Sequence, residues 1–237
     1  MPKKYSLTNK TIKVFGIKLF QIKALNAFNG IKKDDLGGWI EKESNLSQKD
    51  NAWIFDNARV FDDALVSGDA RVYGSAWVYG DALVSGSAQM SGNALVSGDA
   101  LVSGNARVSG NALVSGNAQV YGNAWVSDNA RVFGSAQVFD NALVYNNALV
   151  FGDAQVFGSA QVFGSAQVFD NARVFGDAQA FDNAQVFGDA QALGSAQVFT
   201  SLKIASGKVF GIKHKGETIQ EITIPDSEDK LIGKKIS

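Results

Sequence analysis

One histidine, His214, is the single side chain in this 237-residue chain whose ordinary pKa suits general-base work near neutral pH. Cysteine is absent, which removes thiol nucleophiles, thiolate metal sites and disulfides and fits a reducing compartment. Zinc bound by three histidines is excluded by the same count. The carboxylates offer little more: 13 Asp lie between residues 51 and 200, but the nine-residue glycine–aspartate period of calcium-binding repeats is missing. Glycine recurs every six residues and never opens a helix, so no phosphate loop or dinucleotide motif exists. Flat threonine ranks suited to ice are missing too, the repeat holding only Thr200. No catalytic residue, cofactor or metal is therefore expected.

The elements that would have to position any such group are set by alanine, which stands at every sixth position from Ala52 to Ala196, 25 times without insertion. Two residues after each comes an aliphatic, Ile54, Val60, Val66 and onward, with Met90, Ala180 and Ala192 the departures from Val or Ile. A spacing of two places both side chains on one face of an extended strand. Four residues after each alanine stands Gly, at 17 of 25 positions, or Asp or Asn at seven, ending with Thr200. Until Thr200 the column holds only residues that tolerate positive φ, so the chain turns there. The residue before each alanine is Asn, Asp or Ser, whose short polar side chains can hydrogen-bond the turn's own backbone. Each hexad is a short strand and a corner.

A helix with Gly every six residues would lose roughly 1 kcal/mol per Gly relative to Ala, and the apolar pair lacks a 3.6 period. A meander fails because one hexad cannot supply a strand plus a hairpin. Coiling remains. Three hexads close a triangular coil, and stacked coils pair in parallel. The expectation is an all-β, single-stranded β-solenoid of about eight coils, roughly 40 Å long at about 4.8 Å per coil. Each core Val would contribute about 1.5–3 kcal/mol. Residues 1–45 read as an N-terminal β-hairpin cap, with two strands around Gly16 and Asn45–Gln48 as a degenerate first rung. Residues 46–206 form the rod. Residues 207–237 read as a C-terminal cap and tail, in which Lys208–Lys213 repeats the Lys13–Lys18 hexapeptide and suggests a similar edge-covering hairpin.

The unit Val-x-Gly-Asn-Ala-x resembles the hexapeptide repeat of left-handed β-helices, although here Ser, Phe or Tyr directly follows the aliphatic and Gly comes next. That resemblance, not the spacing, implies a left-handed coil. The entry segment Leu36-Gly37-Gly38-Trp39-Ile40, with Leu46-Ser47-Gln48 and then Trp53-Ile54-Phe55-Asp56, resembles that of the YdcK-like hexapeptide-repeat proteins of bacteria, with relatives in phages and prophages. Such proteins are often labelled transferases from their fold alone. Acyl transfer by β-helices of this kind generally needs a histidine base and loops that interrupt the coils. Here His214 lies beyond the repeat, and nothing interrupts 25 hexads.

Function must then be written on the outward positions. From Ala64 to Ala118 these are mostly Leu or Arg with Ser; from about Ala130 they are mostly Gln with Phe. Sorting them by steps of three hexads gives three aromatic ladders: Phe163, Phe181, Phe199; Phe133, Phe151, Phe169, Phe187; and Phe139, Phe157, Phe175. Gln161, Gln179, Gln197 and Gln119, Gln137, Gln155 run alongside, and Leu65, Leu83, Leu101 form a ladder nearer the start. Stacked identical residues stabilise adjacent coils. Ten outward Phe also make apolar stripes large enough to suggest self-association or a protein partner. Trp77 beside Tyr79, and Trp125 with Tyr121, could equally be hot spots or decoration, and their separation argues for decoration.

Charge is segregated. Residues 51–200 carry five Arg, no Lys and 13 Asp, a net of −8, whereas the two ends together carry +7. The acidic rod disfavours direct nucleic-acid binding. Good turn-forming by Asp explains the acidity most simply; a phage-type inhibitor or decoy occupying a basic cleft of a host enzyme is the alternative. The start, Met1–Leu7, lacks an apolar core and no long apolar run of membrane-spanning length occurs, so a soluble cytoplasmic protein without membrane partners is expected. The leading expectation is a non-catalytic scaffold or protein-binding rod, a homo-oligomer being compatible with it. The inhibitor comes next and a hexapeptide-repeat acyltransferase third.

Overall fold

The computed structural model describes residues 3–200 and 202–210. From Trp53 onward the chain repeats a short strand and a corner, and the strands stack into three parallel ladders that are the faces of a solenoid. The first face runs from Arg59–Val60 to Lys203–Ile204, the second from Trp53–Ile54 to Gln197–Val198, the third from Leu65–Val66 to Lys208–Phe210. Partners along a face stand three hexads apart, as in Val78, Val96 and Val114. One helical element is present among the described residues, a 3-10 turn at Glu43–Asn45, and no helix is long and apolar enough to cross a membrane.

Every alanine from Ala52 to Ala196 is wholly buried, as is the aliphatic that follows it in each hexad. They line the axis because the backbone between coils satisfies itself: Leu95 N donates to Ala112 O at 2.9 Å, Ser97 N to Val114 O at 3.0 Å and Asn93 N to Gly110 O at 2.7 Å. The side chains left pointing inward are the Ala and Val of each hexad, and a methyl beside a branched aliphatic fills the narrow section. Corners take positive φ throughout: Gly104 at 67°, Asp140 at 59° and Thr200 at 58°. Thr200 thus keeps the corner conformation despite its β-branch. At Gly104 the need for glycine is double, because an added Cβ would lie 2.9 Å from both N and O of Gly122 one coil on.

Among the described residues the rod has nine coils, where the hexads alone give about eight. Beyond the 25 hexads, Lys203–Ile204 and Lys208–Phe210 bring each face to nine strands, and further rungs without the Ala-x-Val signature precede them at the start. At the start, β3 (Leu36–Ile40) pairs in parallel with Arg59–Val60, Trp39 opposite Arg59, and Leu46 bridges Val66; both steps are longer than three hexads. At the other end Lys208–Phe210 pairs in parallel with Gln191–Leu193, a step shorter than three hexads. These residues thus form one more rung; the rest of the expected C-terminal hairpin, and the tail, lie outside the described residues.

The start of the rod is closed by β1 (Tyr5–Val14) and β2 (Ile17–Ala24), antiparallel about Phe15–Gly16, with β2 antiparallel to β3. Gly38 is required where β3 meets the first coil, since a Cβ there would lie 2.6 Å from Ala58 O. The buried Tyr5 hydroxyl donates to Leu46 O at 2.8 Å, with Glu43 O beside it, and burial raises its pKa above the usual phenol range. Lys4 Nζ donates to the Asp50 and Ala52 carbonyls at 2.9 Å each; burial pulls its pKa down to about 8 against the attraction of Asp50. Asn45 Nδ2 reaches Asp62 O and Ala64 O, standing in for the backbone of a missing rung.

Candidate interaction surface

The outward residue after each core aliphatic begins a column that the coil period holds in register. On the first face Phe133, Phe151, Phe169 and Phe187 stack with centroids 4.9–5.0 Å apart and planes within 7°. On the second, Phe163 and Phe181 stack 5.0 Å apart and Phe181 and Phe199 5.4 Å apart. On the third, Phe139, Phe157 and Phe175 are separated by 4.9 and 4.8 Å. The structure therefore assembles all three aromatic ladders. It also lengthens two of them: Tyr145 stacks below Phe163 and Tyr121 below Phe139. The three-hexad step that finds the phenylalanines finds these tyrosines as well, once phenol rings are counted with phenyl rings.

Stacking changes how apolar these columns are. Each ladder phenylalanine named above is half-buried; neighbouring rings cover both faces of those inside a ladder and one face of those at its ends. The large apolar side chains most open to solvent are instead Phe15, Leu36 and Trp125. The ladders present ring edges, which carry the positive rim of the aromatic quadrupole. Amides complete the surface: Gln155 Nε2 donates to Gln137 Oε1 at 3.4 Å, and Arg173 Nε to Gln155 Oε1 at 2.9 Å, with the Arg173 guanidinium over Phe157. Gln161, Gln179 and Gln197 are in register on the second face, as are Leu65, Leu83 and Leu101, half-buried, on the third.

Trp77 and Tyr79 have a different role from Trp125. They pack against a buried group of Val14, Leu19, Trp39 and Phe61, where Phe61 stacks on Tyr79 and Trp77 meets Phe15 edge-on. They seat the hairpin on the first face. Trp125, 44% exposed, donates from Nε1 to Ser109 Oγ at 3.0 Å.

The corner carboxylates have a structural partner. Asp56, Asp62, Asp128, Asp140, Asp170 and Asp182 each offer Oδ2 to the backbone N–H of the corner residue one coil on, at 3.1–3.4 Å. The next corner column, the residue before each alanine, forms amide ladders, Asn93–Asn111–Asn129–Asn147 and Asn105–Asn123–Asn141. Such carboxylates are dispersed along the rod; among the described residues no group of three or more His, Cys, Asp or Glu is placed to hold a metal ion. His214 lies outside the described residues.

Nine segments of the rod, residues 64–80, 76–92, 88–104, 100–116, 106–122, 118–134, 124–138, 136–150 and 166–182, match the family model described as the YdcK beta solenoid repeat. A stretch of 53 residues is 42% identical to a protein of Escherichia coli (strain K12) named "Uncharacterized acetyltransferase YdcK". That stretch is 22% of this chain and spans only 16% of the relative.

Proposed function

We propose that this chain, whose rod is built of YdcK-type β-solenoid repeats, works in the cytoplasm as a rigid scaffold or protein-binding rod, its coils left-handed as in the hexapeptide-repeat proteins it resembles. The Phe/Gln ladders and the Leu ladder are the interaction surface, for a protein partner or a second copy. One observation carries this reading: on all three faces the outward side chains repeat at the coil spacing, so ring edges and amides form long, regular, preordered stripes. Ordering is already complete in the free rod, so binding forfeits little side-chain entropy. Regular stripes also match a second set of the same period, which favours lateral pairing of rods.

Mass in solution tests it, comparing wild type with Phe151→Ser plus Phe169→Ser. The wild type is expected at a multiple of the chain mass and the variant at the monomer mass; two monomers would overturn lateral self-association. Repeating the measurement in high salt separates the charge-based reading. Contact through Phe persists or strengthens there, whereas an acidic decoy weakens its hold on a basic cleft. The name of the Escherichia coli relative, an acetyltransferase, favours acyl transfer as a second reading, with His214 as the general base. Acetyl transfer retained in His214→Ala would remove that role.

A further inference from the structure

The aromatic ladder of the second face stops at a defined place. Tyr145, Phe163 and Phe181 stack at 5.0 Å intervals, so each ring except the first has a ring beneath it. One coil before Tyr145 stands Ser127, and one coil before that Ser109. The face of the Tyr145 ring that looks toward the start of the rod consequently meets a serine where the period calls for a ring. Trp125, in the strand leading to Ser127, leans toward the start of the rod through its bond to Ser109. That bond draws the indole N–H toward Ser109, one coil before Ser127. Ser109, Trp125, Ser127, Asp128, Leu143 and Tyr145 line one open hollow of about 380 Å³.

The other two ladders also begin above a serine, Tyr121 above Ser103 and Phe133 above Ser115, but the strands leading to those serines carry Leu101 and Leu113. Only the second face pairs the vacant ring position with a tryptophan. Among the described residues Trp125 is also the most exposed tryptophan, since Trp39 and Trp53 are buried and Trp77 is covered by the hairpin.

We propose that the position over Ser127 is a slot for one aromatic side chain from a neutral or basic segment of a partner protein. This rests on the protein-binding reading above and says which residues of the partner matter. Ser127 stands one coil from Tyr145 on one side and one coil from Ser109, with the Trp125 indole bonded to it, on the other, and all of them line the hollow. An inserted ring continues a stack whose spacing the rod already enforces. Asp128 stands at the rim: one carboxylate oxygen is engaged by the N–H of Asn146, and the other is available to a phenol, an indole N–H or a neighbouring cation. The net charge of −8 over residues 51–200 selects against acidic segments. A sugar ring fits this chemistry less well, because its several hydroxyls would find only Ser127 and Asp128 as polar partners.

The test is an NMR titration of the full chain that follows the Trp125 indole N–H, with acetyl-Lys-Tyr-Lys-amide as probe and acetyl-Lys-Leu-Lys-amide and cellopentaose as comparisons. The tyrosine peptide is expected to give a saturable shift, with the leucine peptide binding about tenfold more weakly. Ser127→Phe, which places this chain's own ring in the slot as Phe133 and Phe163 do in theirs, should abolish the shift while the unfolding midpoint stays level or rises. Trp125→Ala, with the Ser127 amide as reporter, gives the same loss should the phenylalanine variant fold poorly. Equal binding of the leucine peptide, binding retained in Ser127→Phe, or preference for cellopentaose would each overturn the slot. The Phe151 and Phe169 substitutions lie on a different face, so the mass measurement fails or succeeds independently of this titration.

Discussion

Asp140 shows why acidic residues stand at the corners. Its backbone φ of 59° is one that L-residues adopt at a cost of about 1–2 kcal/mol, and glycine would avoid that cost. In return its Oδ2 accepts from Gly158 N at 3.2 Å, satisfying a corner N–H of the next coil. All six corner aspartates make this bond. Asp140→Ala keeps the strained backbone and loses the bond, so it should cost about 1–2 kcal/mol in urea unfolding. Asp140→Gly loses the bond but releases the strain and should remain within about 0.5 kcal/mol of wild type. Equal losses for the two would assign the carboxylate no role beyond shape. The turn itself was legible from Gly, Asp and Asn in one column. Its bond was not, since the acceptor and donor become neighbours only after three hexads have closed the coil.

At the scale of the element, the unit is a stack rather than a strand, for so short a pairing in each rung makes little sheet alone. Phe157 is held between Phe139 and Phe175 in near-parallel contact, whereas Phe133 has one ring neighbour, Phe151, and a serine position on its other side. Phe157→Ala should therefore cost about 1–3 kcal/mol, roughly twice the loss for Phe133→Ala, read from denaturant midpoints of the two variants. Equal losses would mean that ring burial against the coil, not ring-on-ring contact, is what these residues contribute. The grouping into three ladders was readable from residue numbers alone. What was not readable is that stacking covers the ring faces, leaving edges as the surface, or that Trp77 and Tyr79 seat the hairpin. Those depend on side-chain tilt and on how the chain up to Ala24 folds back, and neither follows from a period.

For the molecule as a whole, the critical places are where periodicity breaks. The first coil step, Trp39 to Arg59, is longer than three hexads and the last, Gln191 to Lys208, is shorter. The hexad pattern undercounts the rod because these end rungs are built from Leu36–Ile40, Leu46 and Lys208–Phe210 without its signature. The hairpin joins the first face as an antiparallel pair, so the growing edge at that end changes from a parallel ladder to a strand, β1, that carries Lys10 and Lys13. Removing residues 3–45 should expose the first coil and convert a defined species into larger assemblies, seen as a rise in light-scattering mass at unchanged strand content. A truncated rod of unchanged mass and solubility would show that the first coil protects itself.

Along the rod the ladder bonds and the stacked side chains join one coil to the next, as Leu95 N reaches Ala112 O and Leu95 itself lies beside Leu113. Gain or loss of three hexads within the repeat leaves each face with its own column in register, whereas gain or loss of a single hexad turns every column beyond it one side around. Length is consequently a counted quantity, adjustable in single increments of about 4.8 Å. A rod longer or shorter by three hexads is therefore the next size of the same object, graduated like the first.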